Sequence, residues 1–401
     1  MSFFKSINPD KIVKFIILLL MLAFVWSGFL LLETGSKRTF YAVIASDKFR
    51  KPGSIEEREQ PPDRALIFSK IRLDNGKPIG EKSVTKFPYK YKYGYDYIKK
   101  HDIGVRNAGT GKKACQWFFV DRTDYCDYNF IYFSLDKQLK DKELIFSSIK
   151  EVILPDVYEG GYVADSTDTS KTILMNNGFL IDVETGSGRL ITNEPVVSGA
   201  KFFDGKQFVL FCQDVDKCEL MTIDTNGKIR KYPAGQVYSS GFYHPSINLP
   251  LTVSPDGKIV ALKAYFPEES DEKKSEEKNK MLWLCLFDSS TGKIEKRIPE
   301  KYNFEFRTRT FLEWNPAHNS TLIASGDESS GVIIYDIKDN TSIRISYKAP
   351  TALRWMDNGK YLGYIIDGQA FIYDLKTGTN TLLMKDKDAF DILWVWERDK
   401  Q

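Results

Sequence analysis

Leu251-Thr252-Val253-Ser254-Pro255-Asp256-Gly257-Lys258-Ile259-Val260-Ala261, followed by Leu286-Phe287-Asp288-Ser289-Ser290-Thr291-Gly292, is the stretch that decides the fold. In the first part an apolar run enters Ser-Pro-Asp-Gly-Lys and leaves again at Ile259. Proline presets φ, aspartate caps the turn through its side chain, and glycine supplies positive φ, so the two runs read as a β-hairpin. In the second part an apolar strand ends on Asp288 and meets another polar turn closed by glycine. Together they make a unit of two hairpins, or four strands.

The same unit recurs in both directions along the chain. Strand-Asp-turn segments occur at Ile71-Arg72-Leu73-Asp74-Asn75-Gly76, Phe133-Ser134-Leu135-Asp136, Leu180-Ile181-Asp182, Thr222-Ile223-Asp224, Leu286-Phe287-Asp288, Ile334-Tyr335-Asp336 and Ile372-Tyr373-Asp374. The seven aspartates are 62, 46, 42, 64, 48 and 38 residues apart. Further turns at Asp204-Gly205-Lys206 and Asp357-Asn358-Gly359-Lys360 occupy the place of Asp256-Gly257-Lys258 in their own units. Such a period of four-stranded units implies an all-β fold, a seven-bladed β-propeller, with six blades as the alternative. The chain ends agree with a ring. Phe390 to Trp396 reads as an inner strand with nothing after it. Thr39 to Ala45 and Ala65 to Leu73 read as second and third strands with no inner partner before them. Pairing the two ends would close residues 38–401 into one domain and remove the open edge.

The Ser254-Pro255-Asp256-Gly257-Lys258 turn with its flanking strands resembles the inner-strand turn of TolB-type and WD-repeat propellers. Trp314 before Asn315-Pro316 and Trp355 before Met356-Asp357-Asn358-Gly359 fall at similar places. The resemblance implies a propeller and no particular activity, because propellers host many unrelated chemistries.

Ile12 to Leu32 is a run of 21 residues whose one charge is Lys14. At about 1.5 Å per residue it matches the hydrocarbon thickness of a bilayer, and it is longer than the apolar region of a cleaved signal. Residues 1–11 are then a short tail, 12–32 a transmembrane helix acting as an uncleaved signal-anchor, and the propeller a membrane-tethered domain. Lys37, Arg38, Lys48, Arg50 and Lys51 follow the run while Lys5, Lys11 and Lys14 flank its start, which leans toward a cytoplasmic ring. The short tail and the cysteine spacing lean the other way, and the expectation is a single-pass protein with an extracytoplasmic, periplasmic propeller.

Lys+Arg is 57 and Asp+Glu is 54, so the net charge of +3 gives no concentrated basic excess and no nucleic-acid partner is expected. Three histidines, His101, His244 and His318, share no ligand spacing, no CxxC pair or calcium loop occurs, and no cofactor or metal is expected. There is no G-x-S-x-G and no P-loop, and Ser147-Ser148-Ile149-Lys150 matches S-x-x-K without the helix that chemistry needs. Among five cysteines, Cys212 and Cys218 bracket a turn at Asp214 to Asp216 that would set them opposite each other. Cys115 and Cys126 flank a second hairpin-like stretch. Both are candidate disulfides, and Cys285 reads as core. Tyr89, Tyr91, Tyr93, Tyr95 and Tyr97 occupy alternate positions with Lys90 and Lys92 between them. If extended, the tyrosines share one face, as in a packed blade strand, a membrane-interface element, or a glycan or partner surface. Asn319-Ser320-Thr321 and Asn340-Thr341-Ser342 are formal glycosylation triplets.

With no catalytic constellation visible, the expected function is a non-catalytic, membrane-anchored interaction scaffold or accessory subunit of an envelope complex. Any small-molecule ligand is left open. The alternatives are a propeller hydrolase or lyase with a channel-bound metal, and a glycan or ligand sensor using the tyrosine segment.

Overall fold

In the computed structural model the described residues are 40–49, 54–56, 63–90, 105–110, 114–122, 128–154, 163–166, 172–175, 179–182, 188–190, 196–201, 207–214, 217–224, 228–233, 251–266, 281–299, 311–328 and 330–397. They fold into seven sheets, antiparallel except where Gln138–Leu139 pairs in parallel with the end of Ala389–Glu397, and are nearly all β. Sheet I sets Ala389–Glu397 beside Phe40–Phe49, Asp63–Asp74 and Ser83–Lys90 in that spatial order. Sheets II to VII are meanders of four sequential strands. Sheet II holds Val105–Thr110, Ala114–Arg122, Tyr128–Asp136 and Phe146–Leu154, and sheet III holds Val163–Ser166, Thr172–Met175, Phe179–Asp182 and Gly188–Leu190. Sheet IV holds Val196–Lys201, Gln207–Asp214, Lys217–Asp224 and Ile229–Pro233, and sheet V holds Leu251–Val253, Ile259–Phe266, Met281–Asp288 and Ile294–Pro299. Sheet VI holds Phe311–Trp314, Leu322–Asp327, Gly331–Asp336 and Thr341–Ser346, and sheet VII holds Ala352–Met356, Tyr361–Ile366, Gln369–Asp374 and Thr379–Lys385. The first strands of successive sheets lie against one another from sheet II through to Ala389–Glu397 of sheet I, which is propeller architecture.

Each repeated aspartate is the last residue of the third strand of its sheet, from Asp74 in sheet I to Asp374 in sheet VII. The carboxylates do what the residue type suggests. Asp288 Oδ1 accepts from the backbone N–H and hydroxyl of both Ser290 and Thr291, at 2.6 to 2.9 Å. Asp224 accepts from Lys228 N, Asp336 from Lys338 N and Thr321 Oγ1, and Asp374 from Lys376 N. These donors, led by the Ser290 and Thr291 hydroxyls, hold the Asp288 carboxyl down from its ordinary 3.8 to about 2. A carboxyl depressed on folding contributes stability above its unfolded value, and that contribution is lost as pH falls toward 2. In an NMR titration of side-chain carboxyls Asp288 is therefore expected to titrate below pH 3, and to move up toward 3.8 when Ser290 and Thr291 are both replaced by alanine.

The ends of the described ring pair as antiparallel neighbours, with Phe40 opposite Trp396 and Ile44 opposite Ile392. Residues Phe40 to Ser46 are buried on both faces of their strand, which is why Phe40 to Ala45 reads as a continuous apolar run rather than an alternating one. Phe40, Ala42 and Ile44 pack with Ala352, Met356 and Ile365 of sheet VII. Tyr41, Val43 and Ala45 pack with Leu135 of sheet II and with Leu139. Sheet I thus fills the place between the last meander and sheet II. Further cores join sheets V and VI around Leu286, Trp314 and Tyr335, and sheets VI and VII around Ile334, Trp355 and Tyr364.

Strand direction gives the ring two unlike ends. The connections between first and second and between third and fourth strands gather at one, here the turn end. The connections between second and third strands, and from sheet to sheet, gather at the other, the loop end. The five connections longer than ten residues, 50–62, 91–104, 234–250, 267–280 and 300–310, all join strand ends at the loop end. Phe40 and Glu397 both lie at the turn end, where Tyr41 donates to Glu397 Oε2 at 3.3 Å.

Gly359 shows how tightly the turn end is fitted. Its φ of +88° favours glycine, and an added Cβ would collide with the Asn315 carboxamide of sheet VI. Asn315 Nδ2 donates to the Gly359 carbonyl at 2.9 Å. Gly359→Ala is expected to destabilise by about 2–4 kcal/mol, from strain plus a lost buried hydrogen bond, as read by chemical denaturation.

Candidate functional site

In sheets II to VII the innermost strand faces the axis as an edge, with backbone N–H groups that no further strand of its sheet can satisfy, whereas in sheet I the end of Ala389–Glu397 is covered by Gln138–Leu139. A polar side chain on each inner strand of sheets V to VII reaches the next inner strand, and in sheets V and VI it accepts a backbone N–H there. Thr252 Oγ1 in sheet V accepts from Trp314 N of sheet VI at 3.0 Å. One sheet on, Glu313 Oε2 accepts from Trp355 N of sheet VII at 3.3 Å, while Trp355 Nε1 donates to the Glu313 carbonyl at 2.9 Å. At the next step Arg354 of sheet VII pairs through Nη1 with Glu313 Oε1 and through Nε with Asp391 Oδ1 of sheet I, the latter at 3.4 Å. One guanidinium therefore joins the inner strands of sheets VI, VII and I. Burial pushes the Glu313 carboxyl above its ordinary range, and the Arg354 charge opposes the rise. Chemically this is a charge-paired clasp: two carboxylates flank one cation, and the cation is committed to both.

A second polar group lies between the second strands of sheets V and VI. Lys263 Nζ donates to Asp327 Oδ2 at 2.7 Å, with the side chains 1% and 0% exposed. Ser330 N and Oγ also donate to Asp327, at 2.6 and 2.5 Å. Burial alone would raise the Asp327 carboxyl, but Lys263 and Ser330 hold it at about 2.

Neither cluster was among the sequence candidates. A signal for the first existed: Glu313-Trp314 and Arg354-Trp355 put a charge just before tryptophan at the same place in consecutive repeats. For the second, Lys263 inside Val260-Ala261-Leu262-Lys263-Ala264 was the only hint.

The sequence candidates fare unevenly. The ladder closing the sheet IV hairpin pairs Cys212 with Glu219 and Gln213 with Cys218. The expectation that Cys212 and Cys218 face each other is thus corrected by one position. The hairpin turns between Asp214 and Lys217 rather than about Val215, so the ladder is centred half a residue later. Cys115 lies in a strand opposite Leu135, and Cys126 lies outside the described residues. Cys285 is a buried thiol in the core of sheet V. Tyr89 and Lys90 end the fourth strand of sheet I, opposite Arg64 and Asp63, whereas Tyr91, Lys92, Tyr93, Tyr95 and Tyr97 lie outside the described residues. Ser147 to Lys150 fall within strand Phe146–Leu154. Asn319 and Asn340 occupy turn positions at φ of 58° and 56°, a local reason for asparagine there. His318 sits in the same turn as Asn319, and His101 and His244 lie outside the described residues. Among the described residues no group of three or more His, Cys, Asp or Glu could hold a metal ion. No helix among them is long and apolar enough to cross a membrane, and residues 12–32 lie outside them.

Comparison with known proteins returns no matching family model and no matching curated protein. Similar solved structures include TolB from Acinetobacter baumannii, at 14% identity and TM-score 0.40, over 89% of this chain and 83% of that one. A putative 6-phosphogluconolactonase from Bacteroides uniformis is similar at 13% identity and TM-score 0.49, over 90% and 100% of the two chains. A chain of a nidogen/laminin complex is similar at 8% identity and TM-score 0.41, over 89% and 98%.

Proposed function

We propose that this chain is a seven-bladed propeller tethered to a membrane by residues 12–32, with its ring outside the cytoplasm. It acts there as a non-catalytic scaffold or accessory subunit for protein partners. The observation that carries the reading is the axial clasp. Arg354 binds Glu313 and Asp391 at once, so the charged groups at the described part of the axis serve to hold inner strands together. A ring fastened in this way is a rigid support for the connections at its loop end. Seven residues separate Leu32 from Phe40, a tether of at most about 28 Å, which would keep the ring concentrated near membrane-bound partners.

The test is fractionation of cells expressing the full chain. The chain is expected to remain with membranes after alkaline carbonate, and to be degraded by protease added to intact spheroplasts. Crosslinking in those membranes should then capture discrete protein partners. Release by carbonate would overturn the anchor, and protection from protease until the membrane is broken would overturn the topology.

A further inference from the structure

We infer that the turn end of the ring is the surface laid against lipid headgroups, which leaves the loop end presented away from the bilayer. The inference rests on the anchored reading above and adds to it an orientation. Strand polarity supplies the main argument. The chain enters the described ring at Phe40, where the second strand of sheet I begins, and that strand starts at the turn end. A tether of seven residues therefore feeds the ring from that side.

The chemistry of the two ends agrees. The turns present exposed lysines around the ring: Lys77 in sheet I, Lys293 in sheet V, Lys338 in sheet VI and Lys376 in sheet VII, together with Lys258 and Lys360, which pair with Asp256 and Asp357 of their own turns. Several neighbouring aspartates spend their carboxylates on backbone N–H groups of their own turns, as at Asp288 and Asp374. Ammonium groups at the tips of short, stiff turns suit anionic headgroups. The turn end carries no connection longer than nine residues that would hold it off a flat surface. The loop end is built differently. It carries the long connections, and also Tyr347, 81% exposed, with the Arg344 guanidinium 4.9 Å from its ring centre. Tyrosine and arginine are the residue types that anchor protein interfaces. Strand Ser83–Lys90 also ends there, so the tyrosine-rich segment beginning at Tyr89 starts on the side away from lipid.

The test places a photoreactive benzoylphenylalanine at Lys338 or Lys376 on the turn end, and at Lys348 or Lys387 on the loop end, in the full-length chain. The chain is reconstituted in vesicles of phosphatidylethanolamine and phosphatidylglycerol. After irradiation, lipid adducts are read by mass spectrometry, and carbonate extraction is run on the same samples. The expected result is at least a five-fold excess of lipid adducts from the turn-end positions. Equal yields from both ends, or an excess from Lys348 and Lys387, in chains that resist carbonate would overturn the orientation and leave the anchor standing. Chains released by carbonate would overturn the anchor and the orientation with it.

Discussion

A chain that stops at Asp388 is expected not to fold. The missing segment supplies the innermost strand of sheet I, and with it Ile392, Leu393, Trp394 and Val395, all buried. At about 1.5–3 kcal/mol for each large apolar side chain, their loss removes roughly 6–12 kcal/mol, comparable with the whole stability of an ordinary domain. The strand also carries Asp391, so Arg354 would lose one of its two carboxylates. Circular dichroism melting of the truncated chain should show no cooperative transition, whereas the full chain should show one. A permuted chain separates closure from sequence content. Joining Glu397 to Phe40 by a short linker and opening the chain within 267–280 should melt close to the parent. A cooperative melt from the truncated chain would refute the assignment of the last strand as the closure.

The second large effect is expected at Lys263. Replacing it with methionine removes the ammonium beside a fully buried carboxylate, a change of about 3–5 kcal/mol against the fold. The pH dependence identifies the cause. In the parent, Asp327 is depressed from 3.8 to about 2, so its contribution is present above pH 4 and lost as pH falls toward 2. In Lys263→Met, burial acts on Asp327 without that ammonium and raises its carboxyl. The variant should then be most impaired near neutral pH and should approach the parent as pH falls. Replacing Asp327 with leucine as well, and Ser330 with alanine, should return most of the lost stability, because an apolar set of similar volume needs no charge pairing. Urea denaturation of the three proteins at pH 7 and pH 3.5 checks the series. A deficit that does not change with pH would assign the loss to packing instead.

The fold was legible because its repeat is written in turn chemistry. Asp74, Asp136, Asp182, Asp224, Asp288, Asp336 and Asp374 each end a third strand, since an exposed turn needs a carboxylate to collect its N–H groups whatever the rest of the sheet contains. The place of Phe40–Phe49 beside Ala389–Glu397 follows from strand counting: Thr39 to Ala45 and Ala65 to Leu73 read as second and third strands lacking an inner partner, and Phe390 to Trp396 reads as an inner strand. The axial clasp was not legible. Glu313, Arg354 and Asp391 are 41 and 37 residues apart, and only the ring brings them together. The register of the Cys212 hairpin was not legible either, since a turn centred half a residue later changes every partner along the ladder.

The joint between the first and last strands also sets the order of events in biosynthesis. Phe40–Phe49 emerges from the ribosome among the first residues of the ring, while its inner neighbour, Ala389–Glu397, emerges last. For nearly the whole of synthesis an apolar strand waits with one edge unpaired, in a contact of very long sequence separation that is slow to form. That waiting strand is an invitation to pair with the same strand of a neighbouring nascent copy. Crowded expression is therefore expected to yield strand-exchanged oligomers joined through sheet I, and a holding chaperone that shields residues 40–49 until termination should raise the yield of monomer.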